Sequence, residues 1–307
     1  MIPAKDATKF VQIVQKFDPQ SVLVRAWKLE GGVSAQVTAL EIEQADGQTK
    51  KLLVRQHGEG DRTQNPQIAA DEFKLLDRLH SAGLLVPAPY YLDQSCEIFP
   101  IPYIVIEYIE GASVFALDAV PDLIPQLAAQ LARIHELDGS QQNFSFLPQQ
   151  EKIYADKLGT SPARLDDSLD EGRIRDVLEA AGPLPQRNKS VLLHGDFWPG
   201  NILWRDGRLA GVIDWEDSRF GDPLGDLANS RLETLWAFGR DAMQRFTQCY
   251  LAKNDIDITL LPYWDLYAAL KPALRLAEWA GDAVVEKRWR EEHRWFIERA
   301  FAVTNVN

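Results

Sequence analysis

A chain of 307 residues with 46% hydrophobic content is long enough to bury a sizeable core in one catalytic unit, and no repeat or low-complexity tract interrupts it. The formal net charge of −12 argues against nonspecific nucleic-acid binding, and no stretch approaches the ~20 apolar residues needed to span a bilayer, so a soluble cytoplasmic protein with neither nucleic acid nor membrane as partner is expected. The only cysteines, Cys96 and Cys249, are far apart and outside any ligand-like spacing, which speaks against a disulfide framework and a zinc site.

In chain order, Val22 to Leu29 reads as a strand, Glu30 to Ala35 as a glycine-containing turn with Gly31, Gly32 and Ser34, and Gln36 to Glu43 as a returning strand. Asp46-Gly47 marks a tight hairpin into a third strand, Lys51 to Gln56, where Leu52 and Val54 share one face and Leu53 and Arg55 the other. Apolar residues at Ile68, Phe73, Leu76 and Leu79 predict a helix from Ile68 to Ala82, with Gly83 as its stop. Tyr103 to Ile109 is a strand running into a turn at Gly111, and Leu127, Leu131 and Ile134 place a helix over Leu123 to Leu137. Tyr154 to Ala181 is partly helical, Gly182-Pro183-Leu184-Pro185 breaks it, and the chain from Leu227 onward is helical in character.

Between these stands the most informative segment, HGDFWPGN, His194 to Asn201, flanked by the apolar runs Val191 to Leu193 and Ile202 to Trp204. A further run, Gly211 to Ile213, ends on Asp214. Short strands joined by turns would bring Asp196, Asn201 and Asp214 to one rim. Two carboxylates and an amide oxygen are what magnesium-dependent phosphoryl transfer requires, because a hard cation prefers oxygen ligands. Asp214 and Asn201 are the candidate metal ligands, Asp196 the candidate acceptor for the proton of an attacking hydroxyl, and His194 a strut rather than a base.

HGDFWPGNIL followed by GVIDWEDSRFGDPLGDLA resembles the catalytic segment of the aminoglycoside phosphotransferase and choline kinase group, small-molecule relatives of the protein kinases. The resemblance implies an α+β, protein-kinase-like bilobal fold, with an antiparallel-sheet N-lobe over residues 1–108 binding nucleotide and a mainly helical C-lobe over residues 109–307 for catalysis and acceptor binding. It implies that Asp196 is catalytic, that Asn201 and Asp214 hold Mg²⁺, and that Asp222 and Asp226 brace the loop. In the same template Arg55 is the cation that steadies the phosphates of ATP, with GTP equally compatible, and Glu72 pairs with it, Asp71 being a rival by one residue. A lysine stands at the place of Arg55 in protein kinases. Gly31, Gly32 and Ser34 fall at a phosphate-approaching turn, and Glu107, Tyr108 and Ile109 at the hinge, where backbone groups meet the base.

Each sharp reading has a plain counterpart: a hairpin turn for Gly31-Gly32, a surface ion pair for Arg55 and Glu72, and for Glu216 either the metal, the acceptor or a solvated turn. His57, His80, His135 and His293 are read as surface or core histidines, and Trp198 as loop packing. The expected activity is transfer of the γ-phosphate of ATP to a hydroxyl of a small molecule such as an aminoglycoside, choline or sugar, with a weak preference for a cationic acceptor from the negative charge. A nucleotide-binding pseudokinase scaffold is the alternative, and a protein kinase a third reading, disfavoured because Trp215-Glu216 follows Asp214 in place of Phe-Gly. Nothing in the sequence sets the acceptor or the oligomeric state.

Overall fold

The computed structural model describes residues 4–29, 35–115, 120–137, 143–160 and 162–304. The turn holding Gly31, Gly32 and Ser34 lies outside these residues. The chain divides into two compact units, the first made of Met1–Glu110 with Ala210–Glu216, the second of Gly111–Leu209 with Asp217–Asn307.

The first unit opens on a helix that the sequence reading did not identify, α1 (Ala4–Phe17). Phe10, Ile13, Val14 and Phe17 recur at helical spacing, and the first three are buried. They pack on an antiparallel sheet of β1 (Val22–Lys28), β2 (Ala35–Glu43), β3 (Thr49–His57), β4 (Pro89–Asp93) and β5 (Tyr103–Glu107), in the order β1-β2-β3-β5-β4. Leu40, Ile42, Leu52, Val54 and Val105 complete this core with Phe99 and Tyr103. The β2–β3 register pairs Val37 with Arg55, and β3–β5 pairs Arg55 with Ile104, so Arg55 sits on an interior strand. Because strand side chains alternate, Leu52 and Val54 face the core while Arg55 and His57 share the other face. A short helix, α2 (Glu59–Gln64), leads to α3 (Ile68–Ser81), which buries Ile68, Leu75, Leu76 and Leu79, and Glu72 with them.

The second unit is mainly helical. Its helices are α4 (Val120–His135), α5 (Gln150–Gly159), α6 (Glu171–Ala181), α7 (Leu224–Phe238), α8 (Arg240–Leu251), α9 (Leu261–Ala269), α10 (Leu276–Ala280) and α11 (Ala283–Thr304). The segment read as one partly helical stretch, Tyr154 to Ala181, is two helices separated by a turn around Asp166 to Asp170. Likewise the apolar run around Tyr263 to Trp279 is broken after α9: Pro272 disfavours helical backbone at the residue before it, so the chain turns at Lys271 before α10 begins. Two short strands frame the motif segment, β6 (Val191–Leu193) pairing antiparallel with β9 (Arg219–Gly221). After the motif comes β7 (Ile202–Arg205), and Asp206 and Gly207, both with positive φ, turn the chain into β8 (Arg208–Val212), which carries it into the first unit. Trp236 is a buried core residue and stacks on the half-buried Trp289 with ring centroids 5.0 Å apart.

Candidate active site

In the first unit the charged residues gather around one guanidinium. Arg55 on β3 is 9% exposed, and such burial is tolerable only if its charge is matched. It is matched threefold: Nε lies 3.1 Å from Glu72 Oε2, and a terminal nitrogen donates to Asp214 Oδ1 at 2.6 Å and to Glu216 Oε2 at 2.5 Å. Burial works against the cation, but Glu72, Asp214 and Glu216 outweigh it and hold the Arg55 pKa above its ordinary value. Burial likewise opposes ionisation of Glu72, yet Arg55 and a 2.6 Å hydrogen bond to His57 Nε2 keep its carboxyl below the usual range.

The competition between neighbouring acids on α3 is settled here, since Asp71 instead accepts from Asn65 Nδ2 at 2.8 Å. Asp214 adopts a left-handed backbone, φ +68°, which aspartate tolerates better than most residues. Trp215 beside it is buried and its indole donates to the Val212 carbonyl at 3.0 Å, anchoring the segment that carries both acids. Where the sequence left Glu216 open, the structure places it on Arg55. At the end of β5, the Glu107 amide donates to the Ala88 carbonyl at 2.8 Å and the Tyr108 amide to the Lys51 carbonyl at 3.3 Å, while Ile109 packs over Gly211.

In the second unit the motif loop is tied down from below. Asp226 on α7 is buried and accepts from the backbone amides of His194 at 2.6 Å and Gly195 at 2.9 Å, with His135 Nε2 at 3.3 Å. Burial disfavours its charge, but His135, the His194 side and the Gly195 amide hold its carboxyl below the usual range. Gly195 has φ +83°, and a Cβ there would lie 2.0 Å from the Asp217 carbonyl oxygen, so only glycine fits. His194 is fully buried and its Nδ1 accepts from the Asp196 amide at 3.3 Å, while Ser230 holds the Phe197 carbonyl at 2.9 Å. Trp198 packs near Phe115, with centroids 6.2 Å apart. Asp222 does not join this brace: it accepts from Asn188 Nδ2 and from the Leu224 amide, and burial pushes its carboxyl above the ordinary value.

On the upper side of the loop, Asn201 Nδ2 donates to the Asp196 carbonyl at 3.0 Å and to Asp196 Oδ2 at 3.2 Å. The other carboxylate oxygen of Asp196 forms an ion pair with Lys271, which the sequence reading had passed over. The signal available was a lone lysine in the otherwise apolar run Ala268 to Leu274. Glu233 on α7, close enough to feel both charges, is pushed up to about 7 by burial, with Asp196 adding to the rise and Lys271 opposing it. Thus Arg55, Glu72, Asp214 and Glu216 are brought together in the first unit, and His194, Asp196, Asn201 and Asp226 in the second.

The second unit also contains a cavity of about 490 Å³, within the usual range for small-molecule sites, lined by Tyr154, Leu158, Leu178, Trp264 and Tyr267 with Glu151 and Asp222. Tyr154 and Tyr267 stack at 4.3 Å, and the Tyr154 hydroxyl lies within electrostatic reach of Arg219 and Lys271.

A metal could be held here only by hard oxygens. Among the described residues no group of three or more His, Cys, Asp or Glu could bind one unaided. Magnesium keeps few protein ligands and completes its shell with water and phosphate oxygen. Asp214 offers a side chain 31% exposed, and Asn201, its Nδ2 committed to Asp196, offers its amide oxygen, so the donor chemistry of both fits Mg²⁺.

The phosphotransferase enzyme family model matches residues 27–269 of this chain. Acyl-CoA dehydrogenase family member 11 of Rattus norvegicus is 26% identical over 236 residues, 65% of this chain, and this chain spans 29% of that protein's length. Among solved structures, the GDP and kanamycin complex of APH(2")-IIia superposes with a TM-score of 0.65 at 16% identity, covering 97% of this chain and 99% of that one. A thermostable mutant of aminoglycoside phosphotransferase APH(4)-Ia, in ternary complex with AMP-PNP and hygromycin B, gives 0.59 at 18% identity, covering 97% and 98%. The fold is therefore the kinase-like α+β fold of the aminoglycoside phosphotransferases.

Proposed function

The chain belongs to the phosphotransferase enzyme family, and on that premise we propose that it is an ATP-dependent kinase moving the γ-phosphate to a hydroxyl of a small molecule. The observation that carries this reading is exposure. The side chains of Asp196 and Asp214 are 24% and 31% accessible, whereas the bracing carboxylate of Asp226 is 3% accessible. The brace itself is buried, whereas these two acids stay accessible on loops whose supports are buried.

In this reading Asp196 accepts the proton of the acceptor hydroxyl as its oxygen attacks phosphorus, and ADP leaves. Arg55, held in place by Glu72, supplies the positive charge that steadies the phosphate oxygens. Asn201 and Asp214 are the residues that would hold Mg²⁺, with Glu216 beside Asp214. When bound, Mg²⁺ would neutralise charge on the phosphate oxygens. The first unit binds nucleotide, its base against the backbone of Glu107, Tyr108 and Ile109 and its phosphates near the turn of Gly31, Gly32 and Ser34. His194 and Asp226 are supporting residues, whereas Asp222 braces the start of α7 through the Leu224 amide. A cytoplasmic ATP supply is the setting this chemistry needs; no described helix is long and apolar enough to cross a membrane.

One neighbour in fold holds AMP-PNP and another holds GDP, so both nucleotides belong in the assay. The test is ADP release from MgATP or MgGTP across a panel of amino alcohols, sugars and antibiotics. Turnover should appear with at least one acceptor and fall by about 10²-fold or more in Asp196→Asn. Nucleotide binding without turnover on any acceptor would favour the scaffold reading, and undiminished activity of Asp196→Asn would refute the role of that residue.

A further inference from the structure

We propose that Lys271 is a positioning residue for Asp196, one that fixes the orientation of the proton-accepting carboxylate from the side opposite Asn201. The inference rests on the phosphotransferase reading of Asp196. The matched family segment ends at residue 269, so Lys271 is not part of what that match carries.

The geometry is specific. Lys271 lies on the turn between α9 and α10, in front of Pro272, and that turn is itself tied down where the Leu274 amide donates to Asp166 Oδ2 at 2.9 Å. From this fixed base its ammonium reaches Asp196 Oδ1 and, at 3.1 Å, the amide oxygen of Asn229, a residue 8% exposed on α7. Asn201 holds Oδ2 of the same carboxylate. Both oxygens of Asp196 are therefore engaged by donors from different elements, which stops rotation about its Cβ–Cγ bond. Each carboxylate oxygen has more than one acceptor direction, so a lone pair remains for the incoming hydroxyl.

The gain from the ammonium is a fixed orientation of the carboxylate toward the incoming hydroxyl. Glu233 and Asp217 also lie within electrostatic reach of the ammonium and, with Asp196, keep it charged against the cost of burial. The bland alternative is an ordinary surface ion pair. The two side chains are 31% and 24% accessible, so the pair is partly buried and partly screened, and its net contribution to stability is modest. The two readings therefore differ in what removal of Lys271 should change.

The experiment compares wild type with Lys271→Met, Lys271→Arg and Lys271→Cys, using MgATP and whichever acceptor of the panel turns over. Lys271→Met should lower kcat by roughly 10–100-fold while KM for ATP moves less than about 3-fold and the melting temperature stays within about 2 °C. Lys271→Arg should keep more of kcat than Lys271→Met. Aminoethylation of Lys271→Cys rebuilds an ammonium at nearly the same reach and should restore most of kcat, whereas neutral alkylation with iodoacetamide should not. Wild type treated in parallel controls for the native Cys96 and Cys249. Loss of less than about 2-fold in Lys271→Met, or failure of aminoethylation to restore activity, would overturn the positioning role and leave the phosphotransferase reading intact. A wild type that binds nucleotide but transfers phosphate to no acceptor would overturn that reading, and this inference with it.

Discussion

Replacement of Asp226 by alanine should be the most damaging single change in the second unit. The carboxylate accepts two backbone amides of the motif loop, at 2.6 and 2.9 Å, and faces His135 Nε2 at 3.3 Å. Deleting it leaves two amide donors without an acceptor, each costing about 1–3 kcal/mol, offset by relief of the burial cost of the charge. The net expectation is a loss of about 2–4 kcal/mol in Asp226→Ala and a smaller loss, about 1–2 kcal/mol, in the isosteric Asp226→Asn, which keeps one acceptor oxygen. Urea unfolding followed by tryptophan fluorescence measures both, with the slope against urea as the check that the unfolded state is unchanged. The pH dependence has a defined sign. The native carboxyl is held below its ordinary value, so its contribution is complete above the unfolded pKa near about 4 and is lost as pH falls through the depressed native value. Asp226→Asn should flatten that acid limb. A loss below about 1 kcal/mol in Asp226→Ala would refute the claim that this residue holds the loop.

Three further outcomes follow from the same kind of reasoning. Gly195→Ala places a methyl group 2.0 Å from the Asp217 carbonyl at a backbone φ of +83°, so soluble yield or melting temperature should drop sharply, and a variant that melts like wild type would contradict the geometry. Arg55→Lys replaces a fork that meets Glu72, Asp214 and Glu216 together with a single point charge, and KM for ATP should rise about 10-fold in steady-state assays; an unchanged KM would count against Arg55 as the phosphate ligand. His293, 1% exposed and near Trp236, is pushed down to about 4 by burial, so it is neutral in the fold and charged in the unfolded chain below pH about 6.5. Stability should therefore decline as pH falls from about 6.5 towards about 4, by up to about 3 kcal/mol, and His293→Leu should remove that part of the slope in urea titrations at several pH values.

What the sequence revealed and what it hid divide along physical lines. The loop from His194 to Asn201 was legible because its function is packed into consecutive residues between two short apolar runs. Arg55 was legible because strand alternation sets it on the face opposite Leu52 and Val54. Its partner needed the structure: neighbouring residues on α3 differ by about 100° of helix rotation, and only coordinates show that Glu72 turns to Arg55 while Asp71 turns to Asn65. Helix α1 is written in the spacing of Phe10, Ile13, Val14 and Phe17, but four apolar residues in a short polar segment are a weak signal without the sheet they pack on. The contact between Lys271 and Asp196 spans 75 residues and obeys no spacing rule, because it depends on where Pro272 ends α9 and how far a lysine reaches.

The same contacts change what the overall charge can say about the acceptor. A net charge of −12 invites a cationic substrate, but the acids proposed for chemistry carry counter-ions of their own: Arg55 sits among Glu72, Asp214 and Glu216, and Lys271 on Asp196. At physiological salt, exposed charges farther away than about 8 Å are largely screened, so the remainder of the acidic surface contributes little to selection at Asp196. An ammonium approaching that carboxylate would meet the ammonium of Lys271, whereas a neutral hydroxyl needs only the remaining lone pair. The formal charge of the whole chain is therefore a poor guide to the acceptor.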